Sequence, residues 1–181
     1  MLTRKEFEAA KQAAFAMIRD SGIQILPEEI DKINVADFGL SDLSNQGIEV
    51  FTMFATERIS AKVLVLFPNQ TEPEHWHPPV DTDPGKEEII RAIKGTVRFY
   101  VPGEDNMKEG FIPKGKEAFY TCRNEIVLKP GDQLILPPGR KHWFQTDQGG
   151  AVMYSFSTCV RDVLDGFTDP NIVRTTQIVE D

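Results

Sequence analysis

Apolar positions recur at helical spacing near the start of the chain. Leu2, Phe7, Ala10, Ala14 and Ile18 are separated by Lys, Glu and Arg, which predicts an amphipathic helix over residues 3–19. Pro27-Glu28-Glu29 then opens a short second helix. From Gly47 the texture changes. The runs GIEVFTMFAT and ISAKVLVLFP are rich in Val, Ile, Phe and Thr with partial alternation, and read as strands. EEIIRAIKGTVRFYVPG makes two more around Gly95, and EIVLKPGDQLILPPG another two split by Pro130-Gly131. HWFQT and GAVMYSFST follow in the same style. Short strands punctuated by Gly and Pro predict an all-β sandwich or barrel. The last stretch, VRDVLDGFTDPNIVRTTQIVED, reads as a short helix or turn and then an arm. Residues 1–181 therefore read as one domain, with helical cover over 1–45, a β-barrel over 46–160 and a C-terminal arm over 161–181.

Composition narrows the partners. The 181 residues carry a net charge of −8, which disfavours nucleic acid and anionic membranes as partners. The charged start, MLTRKEFEAAKQAAFAMIRD, is unlike a signal peptide, and no apolar run is long enough for a membrane-spanning helix. Two cysteines, Cys122 and Cys159, without a CxxC spacing argue against a disulfide framework and for a cytoplasmic setting.

The chain has three histidines, and two of them stand in EHWHPPV. On an extended segment, His75 and His77 present both imidazoles to one face, and Pro78-Pro79 keeps the backbone extended. Two neutral imidazoles suit a divalent transition metal such as Mn, Fe, Ni or Zn. His142, after PPGRK, is the candidate third ligand. Glu88, at the start of EIIRAIKG, is the candidate carboxylate, with Glu87 as its rival on the opposite face. Lys62 lies in an otherwise apolar strand, where burial is costly unless the amine is paired or used. Lys86, two residues before Glu88, shares its face, and a nearby cation would lower its pKa. Gln133 and Gln145 are candidate hydrogen-bonding partners for a neutral polar ligand, and Trp76 is expected to pack away from the metal.

These motifs resemble those of the cupin superfamily. Its first motif, His-x-His then Glu, six residues and Gly, is met by His75, His77, Glu88 and Gly95, with PPVDTDPGK as a longer gap. Its second, Gly, five residues, Pro-x-Gly, two residues and His, is met by Gly131, Pro137, Gly139 and His142. Thr146 stands where that motif ends in Asn. More narrowly, PEHWHPPVDTDPGKEE, YVPGE, EIVLKPGDQLILPPGRKHWFQ and the late FST with its aspartates are similar to cupin-type D-lyxose isomerases.

The resemblance implies a double-stranded β-helix, or jelly roll, with an N-terminal helical segment. It implies an isomerase that interconverts D-lyxose and D-xylulose, and D-mannose and D-fructose, by metal-assisted enediolate chemistry. A manganese-type ion, with Zn, Fe, Co or Ni as alternatives, would be held by His75, His77, Glu88 and His142. The family lysines fall on Lys86 and Lys62. One departure stands out: the family carries Glu before the late Phe-Ser, where this chain has Ser155. Asp165 is the chosen replacement for that proton shuttle, with Asp162 and Asp169 as rivals. The implied partner is a small neutral sugar, and a homodimer is expected. The same ligand set also serves cupin oxygenases and oxidases, and a non-catalytic sugar-binding cupin is the third alternative.

Overall fold

The computed structural model describes residues 1–180. A two-residue strand, β1 (Leu2–Thr3), leads into helix α1 (Arg4–Asp20). Thr3 and Glu6 close a capping box. The Glu6 N–H donates to the Thr3 hydroxyl at 3.2 Å, and the Thr3 N–H donates to the Glu6 carboxylate at 2.8 Å. The predicted second helix is one 3-10 segment, Pro27–Lys32. The rest is β: β2 (Ile33–Ala36), β3 (Ile48–Ala55), β4 (Ile59–Leu66), β5 (Thr71–Trp76), β6 (Glu88–Lys94), β7 (Val97–Val101), β8 (Asn124–Leu128), β9 (Gln133–Leu136), β10 (His142–Thr146) and β11 (Ala151–Thr158). Two short strands, β12 (Gly166–Phe167) and β13 (Ile178–Val179), close the chain.

Two sheets face each other, in the orders β2-β3-β4-β11-β6-β9 and β12-β5-β10-β7-β8. Their inner faces share one apolar core that includes Leu64, Leu66, Ile90, Met153, Phe99 and Phe144. Helix α1 lays Ala14 and Ile18 on the outer face of the six-stranded sheet, over Phe51, Val63, Val65 and Val152. Much of β4 is thus covered on both faces, which is why it reads as a nearly continuous apolar run rather than an alternation.

Two segments differ from the sequence reading. The stretch read as helical cover also supplies β2, which pairs antiparallel with β3; at four residues, INVA is too short to show a period. The C-terminal arm is built into the fold. Gly166 and Phe167 pair with Trp76 and His75, and β13 pairs with β1, so the arm crosses the open end of the sandwich beside the histidines. Asp181 lies outside the described residues.

Candidate metal centre

Strands β5 and β10 are antiparallel neighbours, and His75 stands opposite His142. The His77 carbonyl accepts from the Gly139 N–H at 2.9 Å, which ties the PPGRK turn to the first histidine segment. The inserted loop folds back at Gly85. This residue has φ +109°, and a Cβ there would meet the His77 carbonyl oxygen at 2.5 Å, so the return needs glycine. The three imidazoles come together, with ring centroids 4.2–5.5 Å apart and one ligand atom from each within 4.8 Å of the others.

In two of the three the second nitrogen is already engaged. Nδ1 of His75 lies 2.9 Å from the Pro73 carbonyl, and Nδ1 of His142 lies 2.9 Å from the Arg140 carbonyl. A carbonyl only accepts, so each Nδ1 carries the proton and each Nε2 offers a lone pair. Nε2 of His77 and of His142 is buried with no hydrogen-bond partner. Burial pushes all three imidazoles toward the neutral form, His77 to about 3. Buried, neutral, converging nitrogens without partners are what a divalent transition metal needs, so these residues fit such an ion.

Glu88 borders the cluster. Its Oε2 lies 3.6 Å from Nε2 of His77 and 3.8 Å from Nζ of Lys86, and its Oε1 accepts from the Ser155 hydroxyl. Burial opposes its ionisation, but Lys86, His77 and Ser155 hold its carboxyl below the ordinary range. Glu87, the rival, is exposed on the other face.

A cavity beside the cluster is lined by Lys62, Glu72, His75, Lys86, Glu88, Phe144, Asp162, Asp165 and Arg174. Lys62, Lys86 and Asp165 therefore line one cavity beside the histidines. Asp162 is their hub. Its carboxylate contacts Nζ of Lys62, accepts from Nζ of Lys86 at 3.2 Å, and lies 3.8 Å from Arg174. Burial works against its charge, yet Lys86 and Lys62 hold it far below the ordinary carboxylate range. Lys86 departs from the expectation of a lowered pKa. Burial alone would lower it, but Glu88, Asp162 and Asp165 together hold it above its ordinary value. Burial raises Asp165 to about 7, against the partial relief of Lys86.

Glu72 and Arg174 escaped sequence reading. Glu72 stands three residues before His75, the wrong parity for one face of a regular strand. Yet three residues of β10, His142 to Phe144, oppose four of β5, His75 to Glu72. That extra residue, in the segment containing Pro73, is a bulge that resets the alternation and turns Glu72 to the His75 side. Its carboxylate has no hydrogen bond among the described residues and lies 3.9 Å from Nε2 of His75, and burial raises it to about 8. Arg174 comes from the arm and carried no local signal.

Other candidates fall elsewhere. Gln145 is fully used on the far side of β10, bonded to Thr71, Phe111 and Tyr100, and Gln133 is exposed beside Arg91. Neither borders the cavity. Asp169 is buried in a turn, paired with Lys116 at 2.6 Å and bonded to Asn171. Trp76 packs outside under Lys141, and Trp143 stacks on Tyr100 in an outer cluster.

Two facing antiparallel sheets with a histidine cluster at one mouth define a cupin-type protein with a candidate metal centre. The sequence profile of the family described as D-lyxose isomerase matches residues 7–181. The chain is 48% identical over 170 residues to the D-lyxose ketol-isomerase of Cohnella laeviribosi, covering 93% of each. It is 43% identical over 179 residues to the D-lyxose/D-mannose isomerase of Thermosediminibacter oceani, covering 98% of this chain and 99% of the relative. Among solved structures, the L-ribose isomerases of Acinetobacter sp. DL28 and Cellulomonas parahominis share the fold. Their TM-scores are 0.81 and 0.79, over 98% of both chains, at 14% and 15% identity. The chain belongs to the D-lyxose isomerase family.

Proposed function

We propose that the protein is an aldose–ketose isomerase that converts D-lyxose to D-xylulose and D-mannose to D-fructose. The observation that carries this reading is the buried, neutral histidine cluster with its unpartnered Nε2 atoms, opening on a charged cavity, in a chain of this family. His75, His77, His142 and Glu88 would hold a divalent ion, manganese by preference. Bound there, the ion would supply Lewis acidity to the sugar oxygens.

The chain's own groups divide the remaining work. Lys62 and Lys86 are both paired to Asp162. They serve as charged hydrogen-bond donors to sugar oxygens rather than as bases. Asp165, poised at about 7, suits a group that takes and returns a proton at neutral pH. Ser155 supports Glu88 and leaves the shuttle role to the cavity carboxylates. The protein would act on a neutral sugar in the cytoplasm as a homodimer. No helix among the described residues is long and apolar enough to cross a membrane.

Metal-stripped protein given manganese and D-lyxose should form ketose without oxygen uptake. Oxygen consumption with Fe(II) would point instead to an oxidase, and sugar binding without turnover to a sensing protein. Either result would overturn the isomerase reading.

A further inference from the structure

The cavity beside the histidines has one end that is bare carbon. Its charged groups come from β4, β5, the start of β6 and the arm, whereas β3 contributes only Ile48 and Val50. Register fixes where these two stand. Ser155, which donates to Glu88, pairs with Lys62. Two residues further into the sandwich, Met153 pairs with Leu64, and Leu64 pairs with Val50. Across the sheet the strands run β6, β11, β4, β3, so Val50 is three strands from Glu88. Leu64 and Phe144 complete the apolar end, and all four side chains belong to the core between the sheets. Phe144 is pinned by stacking on Phe99, with ring centroids 4.5 Å apart. Of the two β3 residues, Val50 keeps 6% of its surface open and Ile48 2%, so Val50 is the one that faces the free space.

The two sugars of the isomerase reading differ at one end. D-lyxose and D-mannose share their configuration at C2, C3 and C4, and D-mannose is longer by one carbon and its hydroxyl. The reaction is confined to C1 and C2, whose oxygens belong beside His75 and Glu88. The added carbon therefore comes to the end formed by β3. There the isopropyl group of Val50 takes up space, and β3 offers the extra hydroxyl no hydrogen bond. One carbon more or less against an apolar wall changes a specificity ratio by about 10- to 200-fold.

We propose that Val50 sets the length of sugar the site accepts, favouring the five-carbon D-lyxose over the six-carbon D-mannose. This rests on the isomerase reading above and adds the residue that discriminates between its two substrates. Val50 acts by size, at the end of the cavity away from the reacting carbons. Leu64, its neighbour on β4, backs it from the side of the core.

The ratio of kcat/KM for D-mannose over D-lyxose, measured on the manganese-loaded protein, tests the proposal. Both sugars are assayed on one preparation, so any loss of folded or metal-loaded protein cancels in the ratio. Val50→Ala is expected to raise the ratio about tenfold, and Val50→Ile to lower it about tenfold. Calorimetric binding of D-mannitol and D-arabinitol, the two sugars reduced at C1, should show the same directions without turnover: Val50→Ala tightens D-mannitol relative to D-arabinitol, and Val50→Ile weakens it. A wild type that turns over neither sugar would overturn the isomerase reading itself. An active enzyme whose sugar and polyol ratios are unmoved in both variants would overturn the role of Val50 and leave that reading standing.

Discussion

The Ser155 hydroxyl donates to Oε1 of Glu88, from the middle of β11 to the start of β6. Both residues are buried, and Glu88 turns its other oxygen toward His77 and Lys86. A glutamate at position 155 would set a second carboxylate against Glu88. Serine supplies a donor instead. Partners that orient a metal-binding carboxylate are worth about 10- to 100-fold in metal affinity. Ser155→Ala is therefore expected to keep its fold and weaken manganese binding by about tenfold or more, measured by competition with a chelator. Unchanged affinity would remove the positioning role.

His142 tests the cluster itself. Its Nε2 is buried without a partner, so removing the ring sacrifices packing but no protein hydrogen bond at that atom. Saturating metal at about a hundred times its Kd stabilises a protein by about 2.7 kcal/mol. In a chain of this length that corresponds to a rise in Tm of about 5–10 °C. His142→Ala should lose this metal-dependent rise and bind no stoichiometric ion. Full occupancy in the variant would exclude His142 as a ligand.

Glu72 is the cavity carboxylate that sequence periodicity hides. It has no hydrogen-bond partner among the described residues, which leaves it available to a sugar hydroxyl or a proton in transit. Glu72→Gln preserves the shape and removes the titratable proton. The expected result is a loss of about 100-fold in kcat with metal stoichiometry retained. Wild-type turnover would make the residue a bystander.

Asp165 should leave a mark on stability against pH. Burial raises its carboxyl from 3.8 to about 7. The folded protein then keeps a proton that the unfolded chain has released. Its stabilising contribution is complete below the unfolded value and is lost as pH rises through the folded one. Between about pH 5 and pH 8, Tm of the metal-free wild type should fall relative to Asp165→Asn, by about 2–4 °C for each kcal/mol. Parallel profiles would contradict protonation by burial.

Glu74 has a different task from its neighbour His75. It is buried and accepts from the backbone N–H groups of Thr121 and Cys122 at 2.6 and 2.7 Å, and from the hydroxyls of Thr121 and Thr168. Burial opposes its charge, but Thr168, Cys122, Thr121 and Lys141 hold its carboxyl below the ordinary range. Its stabilisation is present above the unfolded value and is lost as pH falls through the lowered one. Glu74→Ala strands these donors and should cost about 3 kcal/mol or more. Calorimetry at neutral pH would register this as a Tm lower by about 6 °C or more; a change within error would deny the residue its structural role.

Much of this protein was determined by local sequence. The 3.6-residue period of Leu2 to Ile18 specified α1, and alternation with Gly and Pro breaks specified strands β3, β4 and β6 to β11. The spacings His-x-His, Glu-x6-Gly and Gly-x5-Pro-x-Gly-x2-His pointed to the residues that converge. These features need only neighbours along the chain, because side-chain period and turn geometry are local properties. The tertiary structure decided what depends on register and closure. One bulge in β5 turned Glu72 to the His75 side, and the arm returned Asp162, Asp165 and Arg174 to a cavity formed far upstream. Gln145 shares a strand with His142 but not its face. Lys62 and Lys86 acquired a common partner in Asp162, which reversed the expected direction for Lys86. Periodicity carries no information about where an alternation is reset, or about which distant charge ends within reach; packing settles both.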